Sequence, residues 1–315
     1  MVELRAIRAD EWDEALGLWE EVFGVGQWLF DSLHQSTTDR SWEHARVAVE
    51  DGRIVAAADV FLRQVRDEDG VPQLMGGIGS VATRPEARRK GYSRALLNQI
   101  IERMAIDGCK WSMLFTGSFD HYAPLGWKRI ALPGADAQLK NQEFTTDSTV
   151  VRLGDPWPFT EMGQLYDSFN GQRPLTGIRT DLIWSIAIKV RLEQPERFCL
   201  GRVVDRSLKG YLVATKGNRG FDLEEMAVQP GDTETVSVLL QGFASLIKED
   251  WIDKFSSQLP TDPTLDGPLA EICERLDRVG SPWTMVRPVD PSWTDARLDA
   301  LFKKPEAVFY SLDKF

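Results

Sequence analysis

The chain has 315 residues, 43% hydrophobic and 27% charged, with a net charge of −11; at roughly 100–200 residues per domain this suits two globular domains. The negative charge argues against non-specific nucleic-acid binding and permits attraction of a cationic partner. No apolar run approaches the ~18 residues of a membrane span, acidic residues interrupt any signal-peptide pattern at the N-terminus, and Cys109, Cys199 and Cys273 stand too far apart for a disulfide framework or a metal site, so a cytoplasmic, metal-free protein is expected.

Val2–Ala6 reads as a strand. A helix is predicted from Asp10, with Trp12, Ala15, Leu16, Trp19 and Phe23 at helical spacing, Asp10 as N-cap and Asp13 three residues on. Residues 24–42 are rich in Trp, Gly and Thr. Strands are predicted at 45–50, 54–65 and 73–83, the first two joined by the hairpin turn Asp51-Gly52. A helix over 93–106 carries Leu96, Leu97, Ile100, Ile101 and Met104 on one face and stops at Gly108. A strand over 110–116 leads into 119–127. This order predicts an α/β (α+β) fold, a mixed sheet with helices on its faces.

Residues 133–158 read as a crossing strand and a linker. Helices follow at 160–169 and 180–190, strands at 198–205, 210–216 and 221–228, and a helix at 236–248. After a Pro-rich stretch come a helix at 269–279, a strand at 283–288 and a short tail helix at 294–302. Ser80-Val81-Ala82-Thr83-Arg84-Pro85 resembles Glu225-Met226-Ala227-Val228-Gln229-Pro230, each before an apolar helix, so the halves read as a worn repeat.

Residues 84–94 hold five basic side chains and one acidic one in an otherwise acidic chain. They lie between an apolar strand and the start of an apolar helix, where free N–H groups and the helix dipole favour an anion. Gly91 lets the backbone approach a diphosphate, and Arg88, Arg89, Lys90 and Arg94 neutralise it. There is no P-loop and no G-x-S-x-G elbow. Gly77-Ile78-Gly79-Ser80-Val81-Ala82 fits G-x-G-x-x-A, but it lies inside a strand with no helix opening behind it.

Two pieces, Arg88-Arg89-Lys90-Gly91-Tyr92-Ser93 and Tyr122-Ala123-Pro124-Leu125-Gly126-Trp127, resemble the GNAT superfamily of CoA-dependent N-acyltransferases, with Ser93 in place of the usual Gly or Ala. The resemblance implies that acetyl-CoA is the acyl donor. It would lie with its pantetheine arm on Val81, Ala82 and Thr83 as an added strand, its pyrophosphate on the loop from Arg88 to Arg94, and Tyr122 as general acid. The corresponding place in the second half, after Pro230, has no basic residue, so one cofactor site per chain is expected.

Thr116-Gly117-Ser118-Phe119-Asp120-His121-Tyr122, the segment Arg173-Pro174-Leu175-Thr176-Gly177-Ile178-Arg179 and the apolar tail ending in Phe315 resemble the enhanced-intracellular-survival (Eis) type of tandem GNAT enzymes. That implies a catalytic domain over 1–148 with Gly117 and Ser118 beside the cofactor, a degenerate GNAT-like domain over 149–289, and a tail, 290–315, that docks into the active site. In that family the terminal carboxylate acts as base, which assigns this role to Phe315; the strand before the cofactor strand offers no Glu or His. Family members carry a sterol-carrier-like domain before the tail, whereas only Val289 to Thr294 stand there in this chain. Residues 20–42 would line the acceptor pocket, with Glu21, Trp28, Phe30 and Asp31 suited to a cationic amine. The resemblance implies an aminoglycoside, a polyamine or a lysine side chain. It leaves open an amino acid, a peptide or a biosynthetic intermediate as acceptor, a non-catalytic acyl-CoA sensor, and a homo-oligomer.

Overall fold

The computed structural model describes residues 2–37, 41–217 and 220–315. The first half runs β1 (Val2–Ala6), α1 (Trp12–Phe23), α2 (Gln27–Gln35), β2 (Ala45–Glu50), β3 (Arg53–Arg66), β4 (Pro72–Thr83), α3 (Tyr92–Ile106), β5 (Trp111–Phe115), α4 (Phe119–Tyr122) and β6 (Lys128–Leu139). The second runs β7 (Val150–Leu153), α5 (Phe159–Asn170), a π-helical stretch (Ile183–Ile188) continued by α6 (Lys189–Leu192), β8 (Arg197–Val204), β9 (Ser207–Gly217), β10 (Gly220–Val228), α7 (Thr233–Glu249), β11 (Lys254–Ser257), α8 (Pro263–Ile272), β12 (Cys273–Pro288) and α9 (Asp295–Phe302).

These strands form one sheet, ordered β1-β2-β3-β4-β5-β12-β6-β11-β10-β9-β8-β7. It is the expected mixed, mostly antiparallel sheet flanked by helices; only β4–β5 and β10–β11 pair in parallel. The sheets of the two halves are continuous, because β6 pairs with β11 and the late strand β12 enters between β5 and β6. The repeat is visible in the pairing. Residues 75–78 of β4 pair with 111–114 of β5, after which β4 runs on to Thr83 without a neighbour on that side. Residues 221–223 of β10 pair with 255–257 of β11, after which β10 runs on to Val228. Each half therefore opens a V-shaped splay between two parallel strands.

Apolar periodicity decides which face each helix covers. Leu96, Leu97, Ile100 and Met104 of α3 pack on one face with Ala56, Ala58, Ile78 and Leu114. Ala15, Leu16 and Trp19 of α1 pack on the other with Val47, Ala57 and Ala82. Two local expectations are corrected. Asp10 is not the N-cap: it lies in a 3-10 turn (Ala9–Glu11), and it is the Glu11 carboxylate that accepts the Arg8 backbone N–H at 2.9 Å. Residues 273–279 are strand rather than helix: the Asp262 carboxylate accepts the Thr264 N–H at 2.7 Å and starts α8 early, and the open edge of β6 takes up Cys273–Pro288 as β12.

Candidate functional site

The loop before α3 is shaped by its backbone. Arg89 and Gly91 hold left-handed φ angles of 65° and 85°, and no side chain caps the helix start. The first-turn N–H groups of α3 are thus left facing the basic loop, where an anion satisfies them. The matching helix of the second half differs: the Asp232 carboxylate accepts the Thr235 N–H at 3.0 Å and already fills its N-terminus. Within the loop, Arg88 donates to the Thr83 carbonyl at 3.3 Å. The Lys90 ammonium is held by Glu50 at 2.8 Å, and the Tyr92 hydroxyl donates to the same carboxylate at 3.2 Å. Ser93 Oγ lies 3.3 Å from His121 Nε2, which ties the helix start to the Tyr122 turn.

The splay lies directly below this loop. Val81 packs with the α3 side of the sheet and Ala82 with the α1 side. Ser80 sits at the β-bulge with φ 54°, its carbonyl accepting the Trp19 indole N–H at 2.6 Å. The glycines of β4 follow the two-residue alternation of a strand. A Cβ on Gly76 would lie 2.2 Å from Met104 Sδ of α3, whereas a Cβ on Gly77 would lie 2.4 Å from the Phe315 ring on the opposite face. A Cβ on Gly79 would come within 3.2 Å of the Phe315 main-chain carbonyl carbon. Both glycines of the G-x-G stretch set aside as a dinucleotide motif, Gly77 and Gly79, therefore admit the end of the chain, and Gly76 just before them admits α3.

Tyr122 closes α4 and packs against the α3-side cluster that contains Ile78 and Leu114. The Trp127 ring meets it edge-on at 6.1 Å. Burial pushes the Tyr122 phenol up to about 12, so it keeps its proton at neutral pH. His121 meets Tyr122 edge-on at 4.8 Å, and burial, with Arg94 nearby, lowers its pKa. Gly117 and Ser118 lie in the turn between β5 and α4; a Cβ on Gly117 would be 3.8 Å from Trp283, which stacks on Phe119. His34 lies between the rings of Trp12 and Trp42, and the Nε2 of buried His44 is 3.1 Å from Asp107, so both serve packing.

After α9 the tail crosses the α1 side of the sheet without strand pairing, and Ser311–Asp313 form a 3-10 turn just before its end. Val308, Tyr310 and Leu312 pack into the second-half core, while Ala307, Phe309 and Phe315 pack with Trp111 and Met113 of the first. Phe315 ends against Phe61, Phe115 and Phe309, at centroid distances of 6.4, 5.6 and 6.2 Å. Tyr122 and Phe315 therefore stand on opposite faces of the sheet, with the β4–β5 splay between them.

The four acceptor candidates also lie on the tail side. Glu21 pairs with Arg84, Asp31 accepts from the Trp12 indole at 3.2 Å and from Gln35 at 2.6 Å, and Phe30 is buried. Trp28 is 48% exposed. Thr38, Asp39 and Arg40 of the expected acceptor segment lie outside the described residues. The sequence reading missed a groove of about 1030 Å³ along the junction of the two halves, lined by Asp136, Asp222, Glu224, Trp283, Phe309 and Lys314 among others. The Lys314 ammonium in its lining lies 4.9 Å above the ring of Phe115, which packs against Phe315. Burial raises the pKa of Asp222, and Glu224 is ion-paired with Arg197 at 2.7 Å. Its signal in the sequence is the alternation of carboxylates with apolar residues in Phe221-Asp222-Leu223-Glu224. Among the described residues no group of three or more His, Cys, Asp or Glu could hold a metal ion, and no helix is long and apolar enough to cross a membrane.

Residues 3–130 match the acetyltransferase (GNAT) domain family, which makes this half of the chain an acyltransferase domain. No curated protein matches the sequence. Among solved structures, a probable N-acyltransferase from Enterococcus faecalis is similar at TM-score 0.68 and 17% identity, covering 92% of this chain and 73% of its own. A GCN5-related N-acetyltransferase from Anabaena variabilis is similar at 0.64 and 14%, covering 92% and 73%. Eis1 from Mycobacterium abscessus is similar at 0.62 and 14%, covering 92% and 74%. At these identities the likeness concerns the fold, and it extends over both halves.

Proposed function

Taking residues 3–130 as a GNAT acetyltransferase domain, we propose that the chain transfers the acetyl group of acetyl-CoA to a primary amine of a cationic acceptor in the cytoplasm. Acetyl-CoA supplies the acyl group and the leaving thiolate. The uncapped start of α3 with Arg88, Arg89, Arg94 and Ser93 would hold its pyrophosphate, and the free edge of Val81 to Thr83 its pantetheine arm. In this reading 1–148 is the catalytic unit, 149–289 the degenerate one, and 290–315 the tail that completes the site.

The observation that carries the proposal is the placement of Tyr122 and Phe315 on opposite faces of one strand splay. An alkylamine is protonated at neutral pH, with a pKa near about 10, and must lose a proton before it can attack. With Phe315 as the last residue, its α-carboxylate on the tail side accepts that proton, directly or through one water. On the other side the Tyr122 hydroxyl gives its proton to the departing thiolate, a role that suits a phenol kept neutral by burial. The groove with Asp136 and Asp222, and exposed Trp28, supports a cationic acceptor, with aminoglycosides, polyamines and lysine side chains as the class to assay. Three free, buried cysteines suit a reducing compartment.

The test is a panel of such amines with acetyl-CoA and a free-thiol readout, repeated on a chain extended by a few residues beyond Phe315. The proposal expects turnover that is lost on extension while the fold is kept. Unchanged turnover of the extended chain would remove Phe315 from the mechanism.

A further inference from the structure

The tail packs on the first half through Trp293, Leu298 and Phe302, enters the second-half core with Val308, Tyr310 and Leu312, and makes a buried ion pair there before Phe315 returns to the first. Arg179, with no exposed side-chain surface, donates to both oxygens of Asp313 at 2.7 and 2.9 Å. It also donates to both oxygens of Glu225 at 2.9 and 2.6 Å. The Tyr211 hydroxyl donates to Glu225 at 2.7 Å, and the Tyr166 ring lies 3.9 Å from the guanidinium carbon. Burial opposes the charge on Arg179, but Asp313 and Glu225 outweigh it and hold the guanidinium protonated. A Cβ on Gly177 would come 3.3 Å from the Asp313 carboxyl carbon, so the backbone closes tightly around the contact.

The location is informative. Glu225 follows the register shift of β10, just beyond Leu223, where β10 and β11 part. In the first half the same place on β4, just beyond Ile78, is the splay that Phe315 faces. The far side of the second splay is also taken by the tail: Gln258, next after β11, accepts the Ser311 backbone N–H at 3.1 Å and the Ser311 hydroxyl at 2.8 Å. With Asp232 capping α7, this half offers no seat to a diphosphate, and its splay is filled by the chain's own residues.

We propose that the splay of the second half is a socket for the tail, in which Arg179, braced by Glu225, grips Asp313 and so sets Phe315 against β4. This makes Arg179 and Asp313 positioning residues, and it rests on the reading of Phe315 as the proton acceptor. Only Lys314 stands between Asp313 and Phe315, a Cα–Cα span of at most about 7 Å, so slack at the socket passes directly to the terminal residue.

Asp313→Asn tests this in the full chain. It removes one carboxylate and leaves the Arg179–Glu225 pair whole, whereas Arg179→Gln would strand two buried carboxylates and threaten the fold. The first readout needs no turnover: release of Phe315 by a carboxypeptidase should speed up at least ~10-fold over the unmodified chain, and Asp313→Glu should recover part of the protection. The second is kcat against pH, with the amine that the unmodified chain turns over best. At neutral pH kcat should fall ~10-fold or more with the KM for acetyl-CoA unchanged, and the deficit should shrink towards pH ~10, where the amine is already free and no base is needed. Equal carboxypeptidase rates, or a deficit of the same size at every pH, would overturn the socket. The chain extended beyond Phe315 separates the two readings. If extension is silent, the base assignment fails; if extension abolishes turnover while Asp313→Asn does not, the socket fails.

Discussion

Gly77→Ala tests the docking of the terminal residue with the smallest possible change. The new methyl carbon would lie 2.4 Å from both Cδ1 and Cε1 of Phe315. Carbon atoms rest at about 3.5–4.0 Å, so the ring must withdraw by about 1.1–1.6 Å. Phe61, Phe115 and Phe309 surround it and leave little room to slide. Overpacking of this kind costs about 1–3 kcal/mol, and the end of the tail can escape it by undocking. At about 1.4 kcal/mol per factor of ten, the docked population falls by up to ~5- to 150-fold. Steady-state thiol release should show that loss in kcat, with the KM for acetyl-CoA unchanged because the loop before α3 is untouched. Gly76→Ala is the control. Its methyl would meet Met104 Sδ at 2.2 Å on the other face, a flexible thioether that can yield, so stability drops while kcat per folded molecule holds. A Gly77→Ala chain with full kcat would refute the reasoning that Phe315 must lie against β4.

Tyr122→Phe should lower kcat by ~10²–10⁴ with acetyl-CoA binding retained, measured by equilibrium titration alongside turnover. Since burial pushes the Tyr122 phenol up to about 12, the proton is lost only above that value, and kcat should show no falling alkaline limb up to pH ~10. Arg89→Ala should raise the KM for acetyl-CoA by roughly 10-fold or more, the worth of a charge-assisted phosphate contact. Lys90→Ala should do less, because the Lys90 ammonium is already held by Glu50.

The sequence made the first half readable because its signals are local. The period of α3, the turn Asp51-Gly52 and the basic run around Gly91 lie within a few residues of what they specify. The tail could be suspected from Val308, Phe309, Leu312 and Phe315, which are too apolar for a loose end. Contacts between distant segments left no such mark. The pairing of β6 with β12 joins Leu139 to Cys273, and no local pattern around 273–279 announces a strand whose partner is so far along the chain. The same holds for charged residues. Arg84 belongs to the basic run but is buried and bonded to Glu21 and the Ile54 carbonyl, so its charge serves the fold. Arg179 and Glu225 stand in segments whose resemblances are legible, but nothing local pairs them with each other or with Asp313, and the three form a buried triad only once the tail has crossed the second half.

A crystal structure of the full chain with CoA would measure the quantity on which the account depends, the position of the thiol sulfur relative to Phe315 and Tyr122. The account predicts the sulfur in the β4–β5 splay beyond Ile78, with the Tyr122 hydroxyl within hydrogen-bonding reach on one side. On the other, the Phe315 carboxylate should face the acyl position across no more than the amine and one water, with contacts of about 2.6–3.2 Å. A sulfur lying elsewhere, or a Phe315 carboxylate turned away from the splay when CoA is bound, would contradict it.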